Sequence, residues 1–138
     1  MLISVLWVLF NVLVIEVISS IQNIGDNLKE GIKIGLIAQN ILYFLLCVVD
    51  PGTIFEDEEE QYGHERTKCM TCGLYRIETS RHCIWCNRCV RQYDHHCSVF
   101  GKCIGKRNIW LFYGFILISS AEMPVLIISL IFSILKQP

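Results

Sequence analysis

The pattern C-x2-C-x9-H-x6-C occurs twice in this chain, the second copy displaced by fourteen residues from the first. Cys69, Cys72, His82 and Cys89 make one set; Cys83, Cys86, His96 and Cys103 make the other. The sets interleave, because Cys83 and Cys86 fall between His82 and Cys89. Each offers three thiolates and one imidazole, which fills a tetrahedral structural zinc site. A disulfide framework has no need of interleaved histidines, and a segment this short has almost no core of its own. Two zinc ions are therefore predicted, and metal binding must supply much of the segment's folding free energy.

Ten Cys and His residues lie between Cys69 and Cys103, and the two sets consume eight of them. His95 and Cys97 remain. A third copy beginning at Cys97 would need cysteine at 100, histidine at 110 and cysteine at 117, where Phe100, Trp110 and Leu117 stand. A leftover cysteine is often only a small buried hydrophobe. Here it follows a zinc ligand directly within the polar string Asp94-His95-His96-Cys97. Thiol, imidazole and carboxylate are the three parts of an activated thiol nucleophile, so Cys97, His95 and Asp94 are the candidate catalytic residues. Each zinc site would carry a net charge of about −1, which does not help a neighbouring thiol to ionise. Activation therefore falls to His95, with Asp94 favouring its protonated form. Both zinc sites are four-coordinate and closed, so neither is expected to activate water.

Charge is placed unevenly along the 138 residues: positions 56–108 hold 17 of the 25 charged side chains. Hydrophobic residues make up 53% of the whole, above the range of about 45–50% usual for soluble domains. Three apolar stretches, Leu2 to Ile21, Ile32 to Val49 and Ile109 to Leu135, carry one charge each. Each comes near or above the roughly 20 residues that a helix needs to cross the hydrocarbon core. No Lys or Arg precedes the first stretch, so it lacks the basic start of a secretory signal. The third holds Glu122 and Pro124 near its middle, and its halves are too short to cross singly. One tilted or kinked span is expected there. Glu122 is left open between a functional intramembrane acid and a helix-interface or headgroup position.

The fold class that follows is an α-helical integral membrane protein. Three transmembrane helices are expected, at 1–21, 32–49 and 109–135, with a luminal loop at 22–31. A linker spans 50–68 and a small zinc domain spans 69–108, between the second and third helices. Nine of the twelve Lys and Arg lie between Arg66 and Arg107, and positive flanks stay cytosolic. The zinc domain is thus placed in the cytosol, where thiols stay reduced. A net charge of −1 gives no field for nucleic acid. Glu56-Asp57-Glu58-Glu59-Glu60 reads as a solvated linker, His64 as a surface histidine and Cys47 as a buried span cysteine.

From Cys69 to Phe112 the chain reads C-x2-C-x9-H-C-x2-C-x2-C-x4-D-H-H-C-x5-C-x4-N-x3-F, closing on Cys103, Asn108 and Phe112. This resembles the cysteine-rich domain of the DHHC-type protein S-acyltransferases, the palmitoyltransferases. Asp50-Pro51-Gly52 is similar to that family's DPG motif. The resemblance implies a two-step exchange. Cys97 takes a fatty acyl group from acyl-CoA, palmitoyl-CoA above all, as a thioester, and then passes it to a cysteine of a substrate protein. It also implies that His95 acts as base with Asp94, and that zinc takes the same two sets of ligands. Expected partners are the acyl-CoA co-substrate, proteins with membrane-proximal cysteines and the lipid bilayer. Expected locations are an endomembrane, Golgi or endoplasmic reticulum, or the plasma membrane. The basic residues of the domain could meet CoA phosphates, but none is assigned to that role. Ser98-Val99 stands where the family usually has Pro-Trp, and Thr79 where it commonly has Arg. The sequence stops at Lys136-Gln137-Pro138, before the family's fourth helix and Thr-Thr-x-Glu motif. These departures leave an alternative expectation: a truncated, non-catalytic, membrane-anchored zinc module serving as an adaptor or subunit.

Overall fold

A computed structural model of the chain describes residues 2–20, 25–55, 67–76 and 79–135. The acidic run from Glu56 to Glu60, His64, Arg66 and the terminal Lys136-Gln137-Pro138 lie outside the described residues. The elements in chain order are helix α1 (Leu2–Ser20), helix α2 (Asp26–Val48), strands β1 (Arg81–Cys83), β2 (Arg88–Val90), β3 (His95–Cys97) and β4 (Lys102–Ile104), and helix α3 (Ile109–Leu135). They form two compact units, Met1–Phe44 with Tyr113–Pro138, and Leu45–Phe112.

In the helical unit, Trp7 stacks on Tyr43 with ring centroids 5.4 Å apart, and Phe115 closes on both at 5.7 and 6.3 Å. Towards the other end of α1, Ile18, Ile32 and Leu36 are buried together beside Val14, Ile15, Val125 and Leu126. Residue numbers therefore rise along α1 and α3 as they fall along α2, so α2 runs antiparallel to the other two. A polar contact crosses between α2 and α3, where Gln39 Nε2 donates to Ser119 Oγ at 2.6 Å. Glu122 turns against Gly35, whose missing side chain leaves room for the carboxyl group. Glu122 is thus a helix-interface residue. α3 continues unbroken through Pro124.

The outer surface of this unit is apolar. Leu6, Leu13, Ile34, Phe44, Leu117 and Ile134 are each more than half exposed. A helix with apolar residues on its outer face belongs in an apolar surrounding. α2, and α3 through Ile131, are each long and apolar enough to cross a membrane, whereas the apolar segment of α1 is shorter, Val5–Glu16. α2 begins six residues before the apolar stretch that announces it. Asp26 stands in its first turn, where the helix dipole favours an acid. Lys29 pairs with Asp26, and Lys33 with Glu30, each three residues on. Such pairs support helix where hydropathy gives no sign of one.

In the cysteine-rich unit, β1 and β2 form one antiparallel hairpin and β3 and β4 another. His82 faces Cys89 in the first and His96 faces Cys103 in the second, so the hairpins share one register displaced by fourteen residues. The same displacement backwards reaches an isolated bridge between Lys68 and Tyr75. Gly73, Asn87 and Gly101, again fourteen apart, all have positive φ. Each follows the first cysteine of its turn, Cys69, Cys83 or Cys97, by four residues. The backbone thus makes three copies of the turn, although the metal-type donors make two.

The segment after α2 docks on these hairpins. Asp50 Oδ1 accepts from the backbone N–H groups of Gly52 and Thr53, both at 2.8 Å, and Oδ2 accepts from the Thr53 hydroxyl at 2.8 Å. Burial pushes the Asp50 carboxyl up, but these bonds and the nearby Arg107 guanidinium outweigh it and hold the group below its ordinary range. Arg91 N donates to Gly52 O at 2.9 Å, and Arg107 N donates to Pro51 O at 3.3 Å. Gly105 is packed where no side chain fits. An added Cβ would lie 2.6 Å from Val90 Cγ1, 2.7 Å from Pro51 O and 2.8 Å from Arg91 O. Two of those neighbours are backbone and cannot turn aside. Gly105→Ala is expected to destabilise this unit by about 1–3 kcal/mol, read as a lower melting temperature for metal release. An unchanged melt would show that the docked segment yields freely. Buried Asn108 closes the unit: its Oδ1 accepts from Gly105 N at 2.8 Å and its Nδ2 donates to Cys103 O at 3.0 Å, immediately before α3.

Candidate metal centres and a cysteine outside them

Cys69, Cys72, His82 and Cys89 converge, as do Cys83, Cys86, His96 and Cys103, with the donor atoms of each set all within 4.8 Å of one another. In the first set, His82 Nδ1 lies 3.0 Å from Cys72 Sγ and 3.9 Å from Cys89 Sγ. In the second, His96 Nδ1 lies 3.6, 3.3 and 3.8 Å from the sulfurs of Cys83, Cys86 and Cys103. A tetrahedral ion with metal–sulfur bonds of about 2.3 Å spaces its donors about 3.5–3.8 Å apart. The residues present therefore fit a tetrahedral metal ion in each set, through Nδ1 of both histidines.

Electrostatics agree with that use. Burial pushes the Cys69 thiol up, yet the N–H groups of Cys72 and Thr71 and the Arg76 guanidinium prevail and hold it down to about 6. Arg76 Nη2 approaches that sulfur to 3.7 Å. Burial and the neighbouring Cys69 and Cys72 push the Cys89 thiol up to about 12. Burial, with Cys83 and Cys86 beside it, drives Cys103 upward in the same way. Thiols this close resist carrying charge together, and a cation among them removes the conflict.

Strand alternation explains how adjacent residues separate. Side chains next to each other on a strand point to opposite faces, and cross-strand partners share a face. His82 and Cys89 share one face and join the first set, while Cys83 points the other way and joins the second. One hairpin later, His96 and Cys103 share the face of the second set. His95 and Cys97, two positions apart on β3, both point away from it. The two neighbouring histidines are thus sorted by the pleat of a three-residue strand.

Cys97 occupies the first corner of the third turn and is half-buried. The second corner is Phe100, whose ring meets Phe112 edge-on at 6.3 Å. The His95 ring also meets Phe112, at 5.2 Å, and His95 Nδ1 lies 3.4 Å from Asp94 Oδ2. Aromatic packing therefore fills this third turn where the earlier two place thiols. Among the described residues, Cys97 and Cys47 are the cysteines outside both donor sets. The sequence places Phe112 only as the last residue of the motif and Lys102 only among basic residues with no assigned role, whereas the structure gives both a contact here. The Lys102 ammonium donates to Cys47 O at 2.8 Å and Val49 O at 2.9 Å. The fourteen-residue displacement marks the position, since Arg88 stands across from Cys83 as Lys102 does from Cys97, but it does not reveal the carbonyl acceptors.

The profile of the DHHC palmitoyltransferase family matches residues 63–138. Palmitoyltransferase ZDHHC4 of Bos taurus is 39% identical over 99 residues, which is 62% of this chain and 29% of that protein. Palmitoyltransferase ZDHHC4 of Rattus norvegicus is 32% identical over 105 residues, 67% of this chain and 30% of that protein. Palmitoyltransferase ZDHHC14 of Mus musculus is 51% identical over 49 residues, 36% of this chain and 10% of that protein. The chain thus spans less than a third of the length of these relatives.

Proposed function

Because this chain belongs to the DHHC palmitoyltransferase family, we propose that it moves a fatty acyl group from acyl-CoA to cysteines of other proteins, by way of a thioester on Cys97. One observation carries the reading. Among the described residues, Cys97 is the one cysteine between Cys69 and Cys103 that neither donor set uses, and it shares a strand face with His95, which in turn meets Asp94.

In the first step His95 takes the Cys97 proton, and the sulfur attacks the acyl carbonyl. The bond from that carbonyl to the CoA sulfur breaks, and the leaving thiolate recovers the proton. The second step repeats the exchange with a substrate cysteine as attacker and Cys97 as leaving group. Asp94, whose Oδ2 lies 3.4 Å from His95 Nδ1, orients the imidazole. Zinc would be held in each set, by Cys69, Cys72, His82 and Cys89 and by Cys83, Cys86, His96 and Cys103, and would serve to fix the hairpins.

The membrane reading extends to all three helices, with the zinc domain in the cytosol and the chain multi-pass in an endomembrane or the plasma membrane. α1, with 19 residues, rises about 28 Å, close to the hydrocarbon thickness of about 30 Å. A sixteen-carbon tail gains about 0.8 kcal/mol per buried CH2, so it stays in the apolar phase and leaves its thioester at the boundary. Substrates are then proteins whose cysteines lie close to the bilayer.

The test is incubation of the purified chain, in liposomes, with labelled palmitoyl-CoA. Hydroxylamine-labile label approaching one acyl group per chain, transferable to a cysteine peptide, is the expected result. The competing reading, a non-catalytic zinc module acting as adaptor or subunit, is favoured by Ser98-Val99 at the position after Cys97. Two bound zinc ions with no label would decide for it.

A further inference from the structure

Lys102 stands directly across the hairpin from Cys97, so their side chains share a face and their Cβ atoms lie about 4.5–5.5 Å apart. Its ammonium reaches back to the end of α2 and donates to Cys47 O at 2.8 Å and Val49 O at 2.9 Å. The last carbonyls of a helix have no partner within it, and a cation there also meets the negative end of the dipole. A cavity of about 360 Å³ lies at this place, lined by Val48, Asp50, Trp85, Arg88, His96 and Lys102 among others. The lysine spans this gap between β4 and the helix end. Asp50, the acid on the cavity wall, is already engaged by Gly52, Thr53 and Arg107.

We propose that Lys102 is a positioning residue that fixes Cys97 at the level where α2 ends. The inference rests on the acyltransferase reading above. α2 is long and apolar enough to cross a membrane, and its last carbonyls mark where the apolar segment stops. An acyl-CoA whose tail lies in the bilayer presents its thioester at one depth only. Tying the cross-strand neighbour of Cys97 to the helix end sets the nucleophile to that depth. A small water-soluble electrophile has no fixed depth and is indifferent to the tie.

That contrast supplies the experiment. Lys102→Met keeps the aliphatic stem and removes the donors. The chain is reconstituted in liposomes, and two rates are measured at Cys97: acylation by palmitoyl-CoA and alkylation by iodoacetamide, the latter read at that residue by mass spectrometry. Lys102→Met is expected to slow acylation by about tenfold or more, since misplacement by an ångström can cost that much. Alkylation should stay within about twofold and both metal ions should remain, because no reacting or ligating group is altered. Lys102→Arg, which can still donate to both carbonyls, should recover most of the acylation rate. Unchanged acylation in Lys102→Met would overturn the inference. So would a parallel fall in both rates, loss of metal, or an arginine variant as slow as the methionine one. If the unmutated chain accepts no acyl group, the acyltransferase reading itself fails, and this inference with it.

Discussion

Cys97→Ser is expected to abolish the hydroxylamine-labile acyl label, a fall of at least about a thousandfold, while both metal ions stay bound. Serine is close to cysteine in size, so the half-buried corner of the third turn should be kept. Its hydroxyl is a far weaker nucleophile than a thiol, and an oxygen ester resists mild hydroxylamine. Cys97 belongs to neither donor set, so metal analysis should not change. Label persisting at the original level would remove Cys97 from the mechanism. His95→Ala gives the companion result. General bases contribute about 10²–10⁴-fold, so acylation should fall by that order with both metals retained. A drop in metal content would instead mean that the pleat does not separate His95 from His96 as described.

The second large effect concerns the scaffold. Cys83→Ala or His96→Ala is expected to lose both ions rather than one, and to unfold the cysteine-rich unit. Structural zinc binding is worth about 10–16 kcal/mol in small zinc domains, comparable with the whole stability of an ordinary protein. The interleaving makes the loss shared. Cys83 joins the second set, yet its strand neighbour His82 joins the first, and both are held by the same hairpin. Releasing one ion slackens the strand that presents donors to the other. Metal quantification with limited proteolysis of residues 67–112 measures the outcome. One ion retained with an intact protease-resistant unit would show that the centres are independent. Two ions retained would show that the substituted residue is not a ligand.

Much of the donor geometry was legible because spacing alone separates the two sets. The strand pleat then explains what spacing could not, namely why His95 and His96 part company. The third copy of the turn was hidden for a physical reason. It survives as backbone conformation, at Gly73, Asn87 and Gly101, after the donor side chains have changed. Glycine and asparagine are the residues that tolerate positive φ, so that rhythm could have been read from the sequence once the period was known. The tie from Lys102 could not, because its acceptors are main-chain carbonyls some fifty positions earlier, which any residue type could provide. The apolar stretches marked where helices pass but not where α2 begins, since ion pairs rather than hydropathy carry its first turns. Of the three expected crossings, α2 and α3 have the length and apolarity for it, and the briefer apolar segment of α1 does not show it by that measure.

Each turn in the cysteine-rich unit offers corner residues that are completed by the hairpin after it. Cys69 and Cys72 are met by His82 and Cys89, and Cys83 and Cys86 by His96 and Cys103. Cys97 opens a turn whose successor is α3, so nothing arrives to complete it. Its availability is an end effect, the unspent valence of the last unit in a finite stack. One repeating module thus builds both donor sets, and where the stacking stops decides which sulfur stays outside them.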